Sequence, residues 1–261
     1  MRALSIGATG MQAQQLNVEV ISNNIANIST TGFKRSRAEF QDMLYENLRR
    51  VGSPSSDTGT LLPSGLQVGL GVKPVATYRI NEQGTLTVTN NQYDVAINGR
   101  GYLQVQMPDG TTAYSRAGSL QTNQDGQIVT PDGFPILPSI TVPSNALSVT
   151  INPAGQVLAT IDGQTAQQSL GQLQLATFIN PTGLESIGDN LLKETAASGS
   201  PNVGNPQSAG FGSLIQGSVE SSNVNVVSEI TGLITAQRAY EMNSRVIKTA
   251  DEMLTTVSQL R

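Results

Sequence analysis

Two short segments carry residue types from which ligand sites are commonly built. Asn98-Gly99-Arg100-Gly101 holds a Gly-x-Gly of the kind that cradles phosphate, and Asn123-Gln124-Asp125-Gly126-Gln127 has the side-chain oxygens that open a calcium loop. Neither completes its chemistry. The first lacks a third glycine and runs into Tyr102-Leu103-Gln104-Val105, which alternates like a strand instead of opening a helix; the second has no acidic residue at the spacing for bidentate closure. Both read as turns. The 261 residues include no His and no Cys, which removes Ser-His-Asp and Cys-His nucleophiles, thiolate zinc sites and disulfides. Between Tyr102 and Asn180 the charged side chains are Asp109, Arg116, Asp125, Asp132 and Asp162, and all four aspartates precede a glycine. A carboxylate pair for acid–base work would have to come from residues already committed to turns. No catalytic residue, cofactor or metal ligand is expected.

Composition narrows the partners. Charged residues make up 13% of the chain, about half the ~25% of ordinary soluble domains, and the formal net charge is −4. A nucleic-acid binder normally carries a basic excess, so no nucleic acid is expected. No apolar run approaches the ~18 residues of a membrane span, so no membrane insertion is expected either. Met1 to Gly7 lacks the charged, apolar and small-residue succession of a secretory signal.

The elements that would hold any site fall into three parts. Leu4, Met11, Val18 and Ile25 recur every seven residues, joined by Ile21 and Ile28, which predicts a first helix ending near Gly32. Val226, Leu233, Tyr240, Ile247 and Leu254 repeat the arithmetic at the other end, with Ala236, Asn243, Ala250 and Val257 at the companion position. Asn225 or Ser228 is placed to cap that helix. Between the helices the period becomes two: Leu66, Val68, Leu70 and Val72, then pieces around Leu86, Val95, Leu103, Val149 and Leu175, with Asp-Gly pairs at 109, 125, 132 and 162 as hairpin turns. Gly69 and Gly71 leave room for close backbone approach. Segments 51–65 and 196–213, rich in Ser, Gly, Pro and Thr, read as extended connectors. Lys34, Arg35, Arg37, Arg49 and Arg50 are interspersed with Glu39, Asp42 and Glu46, as on a solvated or subunit-pairing face, and Phe40, Leu44 and Leu48 are spaced as on a short helix. The fold class is therefore α+β: N- and C-terminal helices paired like a coiled coil, a central antiparallel β-rich domain, and connectors. The expected division is 1–32 with 222–261, 33–94 with 186–221, and 95–185.

Ser22-Asn23-Asn24-Ile25-Ala26-Asn27-Ile28-Ser29-Thr30-Thr31-Gly32-Phe33-Lys34, Ser222-Asn223-Val224-Asn225-Val226 and Ala236-Gln237-Arg238-Ala239-Tyr240-Glu241-Met242-Asn243-Ser244 resemble the bacterial flagellar rod and hook family. Leu62 to Val72 and Thr182 to Gly188 are similar to its distal-rod branch. The resemblance implies a structural, non-enzymatic subunit that polymerises with itself into a helical tube transmitting torque. It implies as partners other rod proteins, hook protein, bushing ring proteins and the flagellar type III export apparatus, and a place in the periplasm-spanning rod of the basal body. The assembly seam is expected at Leu4, Met11, Val18, Ile21, Ile25, Ile28, Val226, Leu233, Tyr240, Ile247, Leu254 and Val257. Connector packing is expected at Leu66, Val68, Gly69, Leu70 and Gly71. A proximal rod subunit of similar size and a secreted β-rich recognition module remain as alternatives. Isolated helices are marginal in water, so the ends are expected to order on assembly.

Overall fold

A computed structural model describes residues 2–50, 64–164 and 166–259, apart from the side chain of Val257. The chain divides into two compact units. One, the helical unit, gathers Met1–Ile25, Ser36–Tyr78 and Asn225–Arg261; the other, the β unit, gathers Ala26–Arg35 and Arg79–Val224.

The helical unit contains α1 (Arg2–Ala26) and α2 (Val226–Gln259). At 1.5 Å per residue they run about 37 and 51 Å. Asn225 caps α2: its Oδ1 accepts the Ser228 N–H at 3.1 Å, and its carbonyl accepts the Glu229 N–H at 3.0 Å. α1 stops at Ala26, six residues before Gly32, because the chain turns where the Thr30 N–H bonds back to the Asn27 carbonyl. Gly32 does have the positive φ of a stop residue, 71°, but its role is close approach: a Cβ there would stand 2.7 Å from the Ala117 nitrogen.

Four strands complete this unit: β1 (Ser36–Asp42), β2 (Tyr45–Arg49), β3 (Leu66–Gly69) and β4 (Val72–Arg79), pairing as β1–β4 and β2–β3. The helix expected from the spacing of Phe40, Leu44 and Leu48 is thus replaced by strands. Pairing with segments about 20 to 40 residues away overrides the local period, as β structure commonly does. The alternating run from Leu66 to Val72 is also two strands, broken at Leu70-Gly71. The break faces a matching one in the partner: the Met43 N–H donates to the Gly71 carbonyl at 2.8 Å. The expected connector 51–65 lies outside the described residues except at Ser64 and Gly65.

The β unit contains β5 (Leu86–Val88), β6 (Val95–Asn98), β7 (Tyr102–Gln106), β8 (Thr112–Ser115), β9 (Gln121–Thr122), β10 (Ile128–Val129), β11 (Ile136–Leu137), β12 (Ala146–Ile151), β13 (Gln156–Ile161), β14 (Gln168–Gln172), β15 (Leu175–Thr177), β16 (Glu185–Gly188), β17 (Leu191–Lys193), β18 (Asn202–Gly204), β19 (Ser213–Gln216) and β20 (Ser218–Glu220). Its largest sheet runs β16-β17-β8-β7-β15-β18, with β11 also on β7; β12-β13-β14 form a second, and the pairings in both are antiparallel. The glycines of all four Asp-Gly pairs take φ between 76° and 86°, which is why those turns need them. Segment 196–213 is not wholly a connector, since β18 within it joins the main sheet through β15. Val95, Leu103, Val157, Leu173 and Leu175 are completely covered in one apolar core. A second cluster sets the Phe178 ring edge-on to Tyr114, centroids 4.8 Å apart.

Candidate assembly surface

The two helices meet along small residues. A Cβ on Gly7 would lie 2.8 Å from Ile247 Cγ1, one on Gly10 2.8 Å from Asn243 Nδ2, and one on Gly232 3.4 Å from Ile21 Cδ1. Asn24 Nδ2 donates to Glu229 Oε2 at 3.1 Å. As residue numbers rise on α1 they fall on α2, so the helices are antiparallel. The buried positions of α2 are Glu229, Ala236 and Ala250, with Asn243 half-buried between them: a strict heptad, but the companion one. On α1 the buried residues are Gly7, Ala13, Ile21 and Asn24.

The larger residues expected at the seam flank that contact. Leu4, Met11, Val18, Ile25, Leu233 and Ile247 are half-buried; Val226, Tyr240 and Leu254 are exposed; Ile21 alone among them is buried. Ile28 stands past the end of α1, in the turn belonging to the β unit. The Val257 side chain lies outside the described residues. Among the connector positions Leu66 is exposed and Val68, Gly69, Leu70 and Gly71 are half-buried. Gly71, with φ 121°, sits against Thr9 of α1, and any side chain there would strike the Thr9 hydroxyl. Gly69 faces the Tyr45 ring at ordinary contact distance.

Further apolar side chains on α2 have no cover. Val227, Ile230 and Ile234 share the face opposite α1, and Met242, Val246 and Met253 form a flanking face; all six are between 45% and 74% exposed. Between the helices a groove of about 460 Å³ is lined by Gln15, Val18, Glu19, Gln237, Tyr240 and Glu241. Exposed apolar area of this kind marks an interaction surface.

The motif residues anchor the helix ends. Asn24 Oδ1 accepts the Ser36 N–H and its Nδ2 donates to the Ser36 carbonyl, both at 2.8 Å. Within the β unit, Asn223 Oδ1 accepts the Arg35 N–H at 2.8 Å, and its Nδ2 donates to the Ile80 and Glu82 carbonyls. Beside it lies a buried ionic node that the charge pattern concealed. Glu220, 1% exposed, binds Lys34 at 2.5 Å and Arg116 at 2.8 Å, and accepts the Gly84 N–H at 2.8 Å. Lys34 is therefore no part of a solvated face. Burial pushes the Glu220 carboxyl up, but Arg116, the Lys34 and Gly84 hydrogen bonds and the Lys34 charge together hold it below the usual range. Burial lowers the Lys34 pKa, which its bond to Glu220 opposes and the Arg116 charge reinforces. One carboxylate serves two cations, so both directions hold at once. The signal available in the sequence was Arg116, the only base among the five charged residues from Tyr102 to Asn180.

No group of His, Cys, Asp and Glu able to hold a metal occurs among the described residues, and no described helix is long and apolar enough to cross a membrane. Terminal helices with uncovered apolar faces and a self-contained antiparallel β unit define a subunit of the bacterial flagellar rod and hook class. Three family descriptions match accordingly: flagella basal body rod protein over residues 4–34, flagellar hook protein FlgE/F/G D1 domain over 96–159, and flagellar basal body rod FlgEFG protein C-terminal over 215–260. Over the full length of both chains the sequence is 59% identical to the flagellar basal-body rod protein FlgG of Caulobacter vibrioides. It is 54% identical to that of Buchnera aphidicola subsp. Acyrthosiphon pisum over 99% of each chain. With that of Borreliella burgdorferi it shares 47% over 100% of this chain and 99% of the relative. The chain belongs to the FlgG family and is a structural subunit of the flagellar rod, in the basal body.

Proposed function

We propose that copies of this chain polymerise through their terminal helices into the helical tube of the distal rod, which carries torque from motor to hook across the periplasm. The observation that carries this reading is the apolar surface of α2 that α1 leaves uncovered. A seam of small residues lets the two helices approach closely, while Leu4, Met11, Val18, Ile25, Tyr240 and Leu254 stand at its margins, where neighbouring copies can cover them. Different patches of successive copies meeting head to tail, without closing, give an open filament. Residues 1–32 with 222–261 act as its inner core, 33–94 with 186–221 as an intermediate layer and 95–185 as its outer layer. Partners are further copies, other rod proteins, hook protein and the bushing rings. Export proceeds through the flagellar type III apparatus. The helices gain most of their stability on assembly.

The test is electron microscopy of concentrated protein. Wild type forms helical polymers, and Leu254→Asp, which places an unpaired charge in the apolar seam, forms none while its β unit keeps its strand circular dichroism. Wild-type polymer from the variant contradicts the reading.

A further inference from the structure

The β unit carries ten Asp and Glu against six Lys and Arg. Lys34 and Arg116 are held by Glu220. Two more bases gather at Tyr102. Arg100 lines a recess of about 220 Å³ with Tyr102, Arg116, Phe178 and Ile179, and Arg79 acts electrostatically on the Tyr102 hydroxyl. No carboxylate among the described residues pairs with Arg79 or Arg100. Arg79 is half-buried, and burial without a carboxylate loosens its proton. At the mouth of the recess Ile179 is 95% exposed, the most exposed of the large apolar side chains among the described residues. A cationic hollow with an apolar rim calls for a small, convex, acidic partner.

The same unit supplies one. Asp125, Asp132 and Asp162 stand exposed on Asp-Gly turns, with no side-chain partner among the described residues. Asp109, by contrast, accepts bonds from the Thr111 N–H and hydroxyl. We propose that the recess at Tyr102 receives an Asp-Gly turn from the β unit of a second copy, its carboxylate facing Arg100. Hollow and turn are different patches of one unit, so the contact is head to tail and can repeat from copy to copy. The proposal deepens the polymer reading by naming one of its contacts, and rests on it only in that copies meet.

Because the chain has no cysteine, cross-linking tests this on the full-length protein. Ile179→Cys is mixed under mild oxidation, separately, with Gln124→Cys, Pro131→Cys, Gln164→Cys and, as control, Pro108→Cys, exposed positions that leave each turn's aspartate in place; wild type is assayed for pelleting in parallel. One of the first three pairs should form the mixed dimer at least about tenfold faster than the control, and adding Arg100→Glu or high salt should remove that advantage. Equal rates in all four mixtures overturn the docking. If wild type pellets nonetheless, the polymer reading stands without this contact. Cross-linking without pelleting keeps the contact and contradicts the polymer; failure of both contradicts both.

Discussion

In the β unit, Val95, Leu103, Val157, Leu173 and Leu175 are wholly covered by their own chain, whereas on α2 Val227 is 74% and Met253 62% exposed. Both regions use ordinary aliphatic residues; they differ in whether one copy of the chain can cover them. Antiparallel strands joined by tight Asp-Gly turns bring distant apolar side chains together within about 130 residues, so the β unit reaches a closed core unaided. Two helices can cover only one stripe of each other, and here that stripe is built largely of Gly, Ala and Asn beside Ile21 and Glu229, leaving most of the large apolar residues outside. Self-sufficiency in one unit and dependence in the other are what a subunit needs if it is to fold its β unit before its helices find neighbours.

The sharpest way to break this contrast is Ile234→Asp, on the α2 face opposite α1. Polymer yield should fall to background, while the β unit's melting temperature stays unchanged; electron microscopy and differential scanning calorimetry read the two. Next in size is Glu220→Ala. It strands Lys34 and Arg116 as buried cations, and should destabilise the β unit by about 3 to 5 kcal/mol in urea titration. Leu173→Ala, at a fully covered position, should cost about 2 to 5 kcal/mol by the same measurement. Acid sharpens the picture further. The folded chain holds Glu220 below its ordinary value of 4.5, so the node's contribution is complete above that value and is lost as pH falls through the lower folded one. The acid limb of a stability–pH curve should accordingly flatten in Glu220→Gln. Smallest is Gly110→Ala, where φ is 82° and nothing crowds a Cβ. Backbone strain alone should cost about 1 kcal/mol in thermal unfolding.

Much of the architecture was legible from spacing. Both helices, the four Asp-Gly turns and the Asn225 cap follow from local rules that need no knowledge of the rest of the chain. What spacing could not settle depended on distant partners. Phe40, Leu44 and Leu48 satisfy a helical period, yet pairing of β1 with β4 and β2 with β3 fixes them as strand and turn. The apolar heptad was legible, but not that the helices would meet on its companion, since closeness at Gly7 and Gly10 depends on what faces them. β13, with Val157, Ala159 and Ile161 inward, carries its alternation in a stretch of mostly small and polar neighbours that gives no strong strand signal. Lys34 looked like part of a mixed surface because Glu220 lies 186 residues away. The segments that carry the flagellar resemblance include Asn24, Lys34, Asn223 and Asn225, and these hold backbone or buried charge near the ends of the helices.

Hydrogen exchange of the full-length protein, below and above the concentration at which it polymerises, tests the central contrast most directly. Amides of β6, β7, β12 and β13 should be protected equally in both states, while those of α1 and α2 should exchange rapidly in the monomer and become protected in the polymer. Helices already protected in the monomer, with no further slowing on assembly, would contradict the account.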